Sequence, residues 1–188
     1  MARARAKTGR TQTYAALLRG INLGSHNKIS MADLRSLFEE LDAEGVRTYV
    51  QSGNVVFRSK QTAAQLEKAV ERKIESALSL DVTVLVRTKA QLARLVRDNP
   101  FLERSTPEKA LHVTFLARKP PASRVRGLDP TGFEPDMFEV SGREVYLNVP
   151  NGYGRSKLSN AYFEKALDVR ATTRNWRTVS ALADLASA

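Results

Sequence analysis

The sequence predicts an α+β fold: a ferredoxin-like βαββαβ unit followed by a second, related α/β unit, both on mainly antiparallel sheets. Three observations predict it. Strand-like segments at 14–18, 46–51, 54–59 and 82–87 alternate with two amphipathic helical stripes in the order strand–helix–strand, strand–helix–strand. The second half repeats a strand, short helix, hairpin and helix. Both halves turn their hairpin on a Ser-Gly pair, Ser52-Gly53 and Ser141-Gly142.

Taken in order, residues 14–18 are a wholly apolar run that reads as a buried strand. A polar loop follows over 19–27. Met31, Leu34, Leu37, Phe38 and Leu41 repeat at helical spacing over 31–42, with Ser30 and Asp33 placed as a capping pair and Gly45 beyond the end. The strands 46–51 and 54–59 flank the turn residues Ser52-Gly53-Asn54. Leu66, Val70, Ile74 and Leu78 mark a longer helix over 62–78 that Thr62 and Gln65 cap, and a strand follows at 82–87. Leu92, Leu95 and Val96 belong to a connecting helix that Asn99-Pro100 ends.

In the second half, 111–117 reads as a strand and 120–127 as a short helix after Pro121. Strands 137–140 and 144–149 form the hairpin, and helices follow at 157–167 and 176–185. The loops between Pro120 and Pro135 read as irregular surface connection. The domain reading is a disordered basic tail over 1–13, a ferredoxin-like first half over 14–98, and a second α+β half over 99–188 packed on the first.

The formal net charge of +10 suits phosphates, nucleic acid or anionic surfaces. Arg3, Arg5, Lys7 and Arg10 supply four of those charges, and taking those four from +10 leaves +6 for the folded part. There is no cysteine, which excludes disulfides, iron–sulfur clusters and thiolate zinc sites, and two histidines, His26 and His112, make a poor basis for a transition-metal site. No cofactor is expected. The apolar run at 14–18 is too short for a signal-peptide core, and nothing approaches the roughly 20 apolar residues of a membrane span. A cytoplasmic location without membrane partners is the expectation.

Four segments, the first three punctuated by glycine, are rich in donors and free of Asp, Glu, His and Cys: 17–24, 51–54, 152–158 and 172–176. Such segments suit an anion better than a metal. The strongest is Gly152-Tyr153-Gly154-Arg155-Ser156-Lys157-Leu158. Its glycines allow close backbone approach, Arg155 can fork onto two oxygens, Lys157 adds a mobile charge, and a helix is expected to start near Ser156. It lacks the spacing of a P-loop. In the last segment Arg174 precedes Asn175, a good helix N-cap, and Trp176 reads as a packing anchor. Arg19, Asn22 and Lys28 lie in or beside the loop after the first strand, and Gln51, Ser52 and Asn54 sit at a hairpin tip. His112 lies in an apolar strand and reads as structural.

The acids fall mostly on helices, no G-x-S-x-G is present, and 55–58 offers one ring where an RNA-recognition sheet needs several. These negatives favour binding, or catalysis by positioning and positive charge.

Several of these segments carry a resemblance. Residues 17–24, Lys28 with Met31, the run Tyr49-Val50-Gln51-Ser52-Gly53-Asn54-Val55-Val56-Phe57, Asn99-Pro100, 154–158 and Thr172-Thr173-Arg174-Asn175-Trp176 resemble the signature of the bacterial domain-of-unknown-function family DUF1697. The resemblance runs from about Tyr14 to the C-terminus. It implies ferredoxin-like elements in a two-part arrangement and no established activity. It also implies that the basic tail is an extension, since members begin just before the first strand. Ser25 and His26 stand where the family often has a glycine-rich loop.

The functional expectation is a cleft for a phosphate or nucleotide-like anion, formed where Arg19, Arg155, Lys157 and Arg174 converge, with Ser156 and Asn175 at helix starts and Asn22, Lys28, Gln51, Ser52 and Asn54 beside them. The partner is then a phosphorylated small molecule or a nucleotide. The alternatives are a sequence-independent nucleic-acid-binding protein and an interaction scaffold without a ligand. Oligomeric state is left open.

Overall fold

Each half of the chain is a βαββαβ unit with one further helix appended. The first runs β1 (Gln12–Leu18), α1 (Met31–Glu39), β2 (Glu44–Tyr49), β3 (Asn54–Ser59), α2 (Ala63–Leu78), β4 (Val84–Thr88) and α3 (Lys89–Arg97). The second runs β5 (Leu111–Leu116), α4 (Ala122–Arg126), β6 (Met137–Ser141), β7 (Glu144–Asn148), α5 (Asn160–Leu167), β8 (Ala171–Asn175) and α6 (Trp176–Ser187). The sheet orders β2-β3-β1-β4 and β6-β7-β5-β8 are the same order twice, and every neighbouring pair is antiparallel. This computed structural model describes residues 10–24, 26–104 and 106–188. Arg3, Arg5, Lys7, Ser25 and the disorder expected before residue 10 lie outside the described residues.

Strand periodicity builds the layers. Successive side chains of β1 point to opposite faces. Tyr14, Ala16 and Leu18 pack outward on Leu34 and Phe38 of α1 and on Leu66, Val70 and Ile74 of α2, so both helices lie on a single face. Ala15 and Leu17 point inward and share a core with Val113 and Phe115 of β5, Leu92 and Leu95 of α3, and Trp176, Val179 and Leu182 of α6. On the far side, Leu116, Val145 and Leu147 meet Phe163 and Leu167 of α5. The inner layer therefore belongs to both units. Burial on both faces explains why β1 carries five apolar residues in succession.

Several boundaries differ from the sequence reading, each for a local reason. β1 begins at Gln12, inside the segment expected to be tail, because Gln12 and Thr13 pair with Ser59 and Arg58 of β3. β2 lies two residues earlier than expected. Val50 adopts φ 50° and joins the turn, leaving 50–53 as the hairpin connection. Gly45 does not cap α1. It sits inside β2 with φ 61°, where the register to β3 shifts between Glu44 and Arg47. The fifth helix starts at Asn160 and not near Ser156, because Ser159 is its N-cap and accepts from Tyr162 N. The largest correction concerns residues 171–175, read as a polar approach to the last helix. They form β8, the edge strand paired with β5.

Candidate functional site

Three of the four donor-rich segments meet at one seam between the units. Arg174 projects inward from β8 and is 7% exposed. Its Nε donates to Asn54 Oδ1 at 2.6 Å, Nη1 to Thr172 Oγ1 and Thr173 O at 2.8 and 2.9 Å, and Nη2 to Leu18 O and Ser52 O at 2.8 and 3.0 Å. A guanidinium has five N–H groups, so every donor is used inside the protein. Asn54, fully buried, must accept from Arg174 while its Nδ2 donates to Tyr49 O and Ser52 Oγ at 3.0 Å each. An amide can do both; a carboxylate cannot. With no carboxylate at hand, burial brings the Arg174 pKa down to about 10.

Around this seam, Arg19 follows β1 and forks onto Glu164 of α5 with two 2.8 Å bonds, while its Nε also reaches Ala171 O at 3.1 Å. Asn22, at φ 54°, accepts from Ile29 N and donates to Ile29 O and Gln51 O, tying the loop to the hairpin tip. Gly53 completes the fit. A Cβ there would lie 2.6 Å from Ile21 Cδ1, and its φ is 77°. Lys28 and the side chain of Gln51 are exposed on the rim.

The seam has a counterpart related by the duplication. Leu18 pairs with Val84 as Leu116 pairs with Ala171, which makes Arg87 and Arg174 equivalent, each three residues further along its edge strand. Leu17 pairs with Asn54 as Phe115 pairs with Glu144, making those two residues equivalent as well. Arg87, with no exposed surface, donates from Nε to Glu144 Oε1 at 2.8 Å and from Nη2 to Leu116 O and Arg143 O at 2.8 and 3.2 Å. Each unit thus sends one arginine into the other unit's hairpin turn. Desolvation lowers the Arg87 pKa, and Glu144 opposes that shift. Sequence reasoning missed Arg87, Glu144 and Glu164 because each looked like an ordinary strand or helix charge. The recurring Arg-then-cap spacing, Arg87-Thr88 and Arg174-Asn175, was the available signal.

The fourth segment stands apart. Arg155, Ser156 and Lys157 line a cavity of about 320 Å³ together with Asn151 and the segment from Gly132 to Asp136. Arg19 and Arg174 do not line it, so the expected convergence of four cations does not occur. The helix start expected at Ser156 is absent, and Ser156 Oγ instead accepts from Leu158 N at 3.0 Å. Asn175 serves as the N-cap of α6, accepting from Thr178 N at 2.8 Å. The cavity also carries Glu134 and Asp136. Sequence reasoning missed them because they lie in the proline-rich connection it had set aside. The same corner of the first unit, between the approach to β2 and the exit from β3, holds a cavity of about 330 Å³ lined by Asp42, Glu44, Ser59, Lys60 and Gln61 beside Thr11.

Behind the 152–158 loop lies a polar network. Tyr153 OH donates to Thr173 Oγ1 at 3.0 Å, Thr173 to Asn160 Oδ1 at 2.7 Å, and Thr114 lies 2.7 Å from Thr173. The His112 ring stacks on Tyr153 at 5.1 Å, and its Nδ1 lies 3.3 Å from Ala110 O. Burial lowers the His112 pKa and raises that of Tyr153. Among the described residues no group of three or more His, Cys, Asp or Glu could hold a metal ion, and no helix is long and apolar enough to cross a membrane.

Comparison with known proteins agrees with the fold. The profile of a family described as a protein of unknown function, DUF1697, matches residues 11–146, so it ends within β7 before the last two donor-rich segments. No curated protein matches. A solved structure, described as that of the conserved bacterial protein SP0830 from Streptococcus pneumoniae, superposes with a TM-score of 0.73 at 22% identity. The match covers 94% of this chain and 99% of that one.

Proposed function

We propose that this chain, which belongs to the DUF1697 family, binds a small phosphate-bearing ligand in the cleft between residues 132–136 and 151–157. One observation carries the reading. Arg155 and Lys157 line a single cavity, and among the described residues neither has an ion-pair partner. Unspent guanidinium and ammonium groups beside a hydroxyl and an amide, Ser156 and Asn151, suit phosphate oxygens. The volume of about 320 Å³ falls at the lower end of ligand pockets, about 300–1,000 Å³, which favours a small ester over a polymer. Arg19, Asn22, Asn54 and Arg174 are assigned to the frame, since their hydrogen bonds close the seam.

Thermal unfolding with millimolar inorganic phosphate tests the proposal. The melting temperature should rise with phosphate, as it does for any ligand that binds only the folded state, and Arg155→Ala with Lys157→Ala should remove the rise. An unchanged rise in that double variant places the phosphate elsewhere. Sequence-independent nucleic-acid binding by the +10 surface has a different signature: oligonucleotide affinity falling log-linearly and steeply with salt, indifferent to those two residues.

A further inference from the structure

We infer that the same cleft selects a dipolar ligand, a phosphate monoester that also carries a primary ammonium group; this rests on the phosphate reading above. The cavity is bounded by two segments of opposite charge. Residues 151–157 bring Arg155 and Lys157, and residues 132–136 bring Glu134 and Asp136. No ion pair forms between the two sets among the described residues. Glu134 is instead held by its own loop, accepting from Gly132 N at 2.9 Å, so its carboxylate is fixed on the acidic side. Two carboxylates weaken the hold on a plain phosphate dianion, so an ester whose far end is cationic should bind more tightly there than inorganic phosphate.

The first unit supports the same chemistry independently. Its corresponding cavity again sets two acids, Asp42 and Glu44, before and at the start of the second strand, and polar groups and a cation, Ser59, Lys60 and Gln61, at and after the end of the third. The charge layout therefore accompanies the corner of the fold and not one loop sequence. There Glu44 is already engaged by Arg58 at 3.4 Å and only Lys60 faces it from the exit segment, so the second-unit cleft is the stronger of the two.

Isothermal titration of the full chain with three probes decides the matter: inorganic phosphate, O-phosphoethanolamine, and 2-hydroxyethyl phosphate, which replaces the ammonium by a hydroxyl. O-Phosphoethanolamine should bind about two- to fivefold tighter than 2-hydroxyethyl phosphate, the range expected for a partly solvated charge pair. Glu134→Gln with Asp136→Asn should erase that ratio while leaving 2-hydroxyethyl phosphate bound at least as well as before. Equal affinity of the two esters for the unaltered protein would overturn the dipolar inference and leave the phosphate reading intact. Binding of none of the three would overturn both. A preference for the amine that survives the double substitution would place the acidic contact elsewhere and overturn the assignment to Glu134 and Asp136.

Discussion

At the scale of single residues, two arginines at equivalent places solve the same problem differently. Arg87 is neutralised by Glu144, whereas Arg174 relies on neutral acceptors alone. Losing Arg174 strands Asn54 Oδ1, Leu18 O and Ser52 O in the seam, so Arg174→Ala should cost about 2–5 kcal/mol in urea denaturation. Arg174→Lys should not restore it, because a point charge cannot reproduce the fork. Losing Glu144 does the opposite and leaves the Arg87 charge buried without its counter-ion, for about 3–5 kcal/mol. A loss below about 1 kcal/mol in either variant would contradict these roles. Arg174 was legible as important in the sequence but was misread as a ligand contact. Nothing in a linear pattern separates a guanidinium awaiting an anion from one whose donors are filled by neutral oxygens, three of them more than a hundred residues away.

At the scale of elements, the edge strands show how helices finish a sheet. On β4, Val84 N and Val86 N donate to Glu71 Oε1 and Glu67 Oε1 of α2, both at 2.9 Å, and on β8 Ala171 N donates to Glu164 Oε1 at 2.8 Å. Edge amides covered in this way do not template pairing with another chain. Glu67→Ala combined with Glu71→Ala should therefore speed hydrogen exchange at the Val84 and Val86 amides by at least about tenfold, the factor that corresponds to about 1.4 kcal/mol in local opening, near the net worth of one such bond. Unchanged protection at both amides would show that the carboxylates are decoration. Burial left a readable mark on β1 as an unbroken apolar run and on α1 and α2 as apolar residues at helical spacing. β8 was not, since its inward positions are Thr172 and Arg174 and its outward Thr173 joins a hydroxyl network, so no alternation of apolar and polar residues remains. The cavity at Arg155 was half legible: its cations sit in a glycine-rich motif, but Glu134 and Asp136 reach it from a connection without periodicity.

At the scale of the whole molecule, the inner layer holds apolar residues from both sheets and from α3 and α6, so neither half has a complete core of its own. Unfolding of the intact chain should be a single transition by circular dichroism and Trp176 fluorescence. Residues 1–98 alone should aggregate or lack cooperative unfolding, because Ala15, Leu17, Val56 and Leu85 would face water. A soluble, cooperatively folding first half would contradict this. The reciprocal arginines carry one more consequence. Each guanidinium finds three of its acceptors in the opposite half, at matching register positions, which is the geometry of an isologous contact. Two copies of a half-length chain related by a two-fold axis would make that contact twice with identical residues. Joining the halves in one polypeptide removes the requirement for identity: Asn can stand on one side where Glu stands on the other, and the two corner cavities need not share a lining.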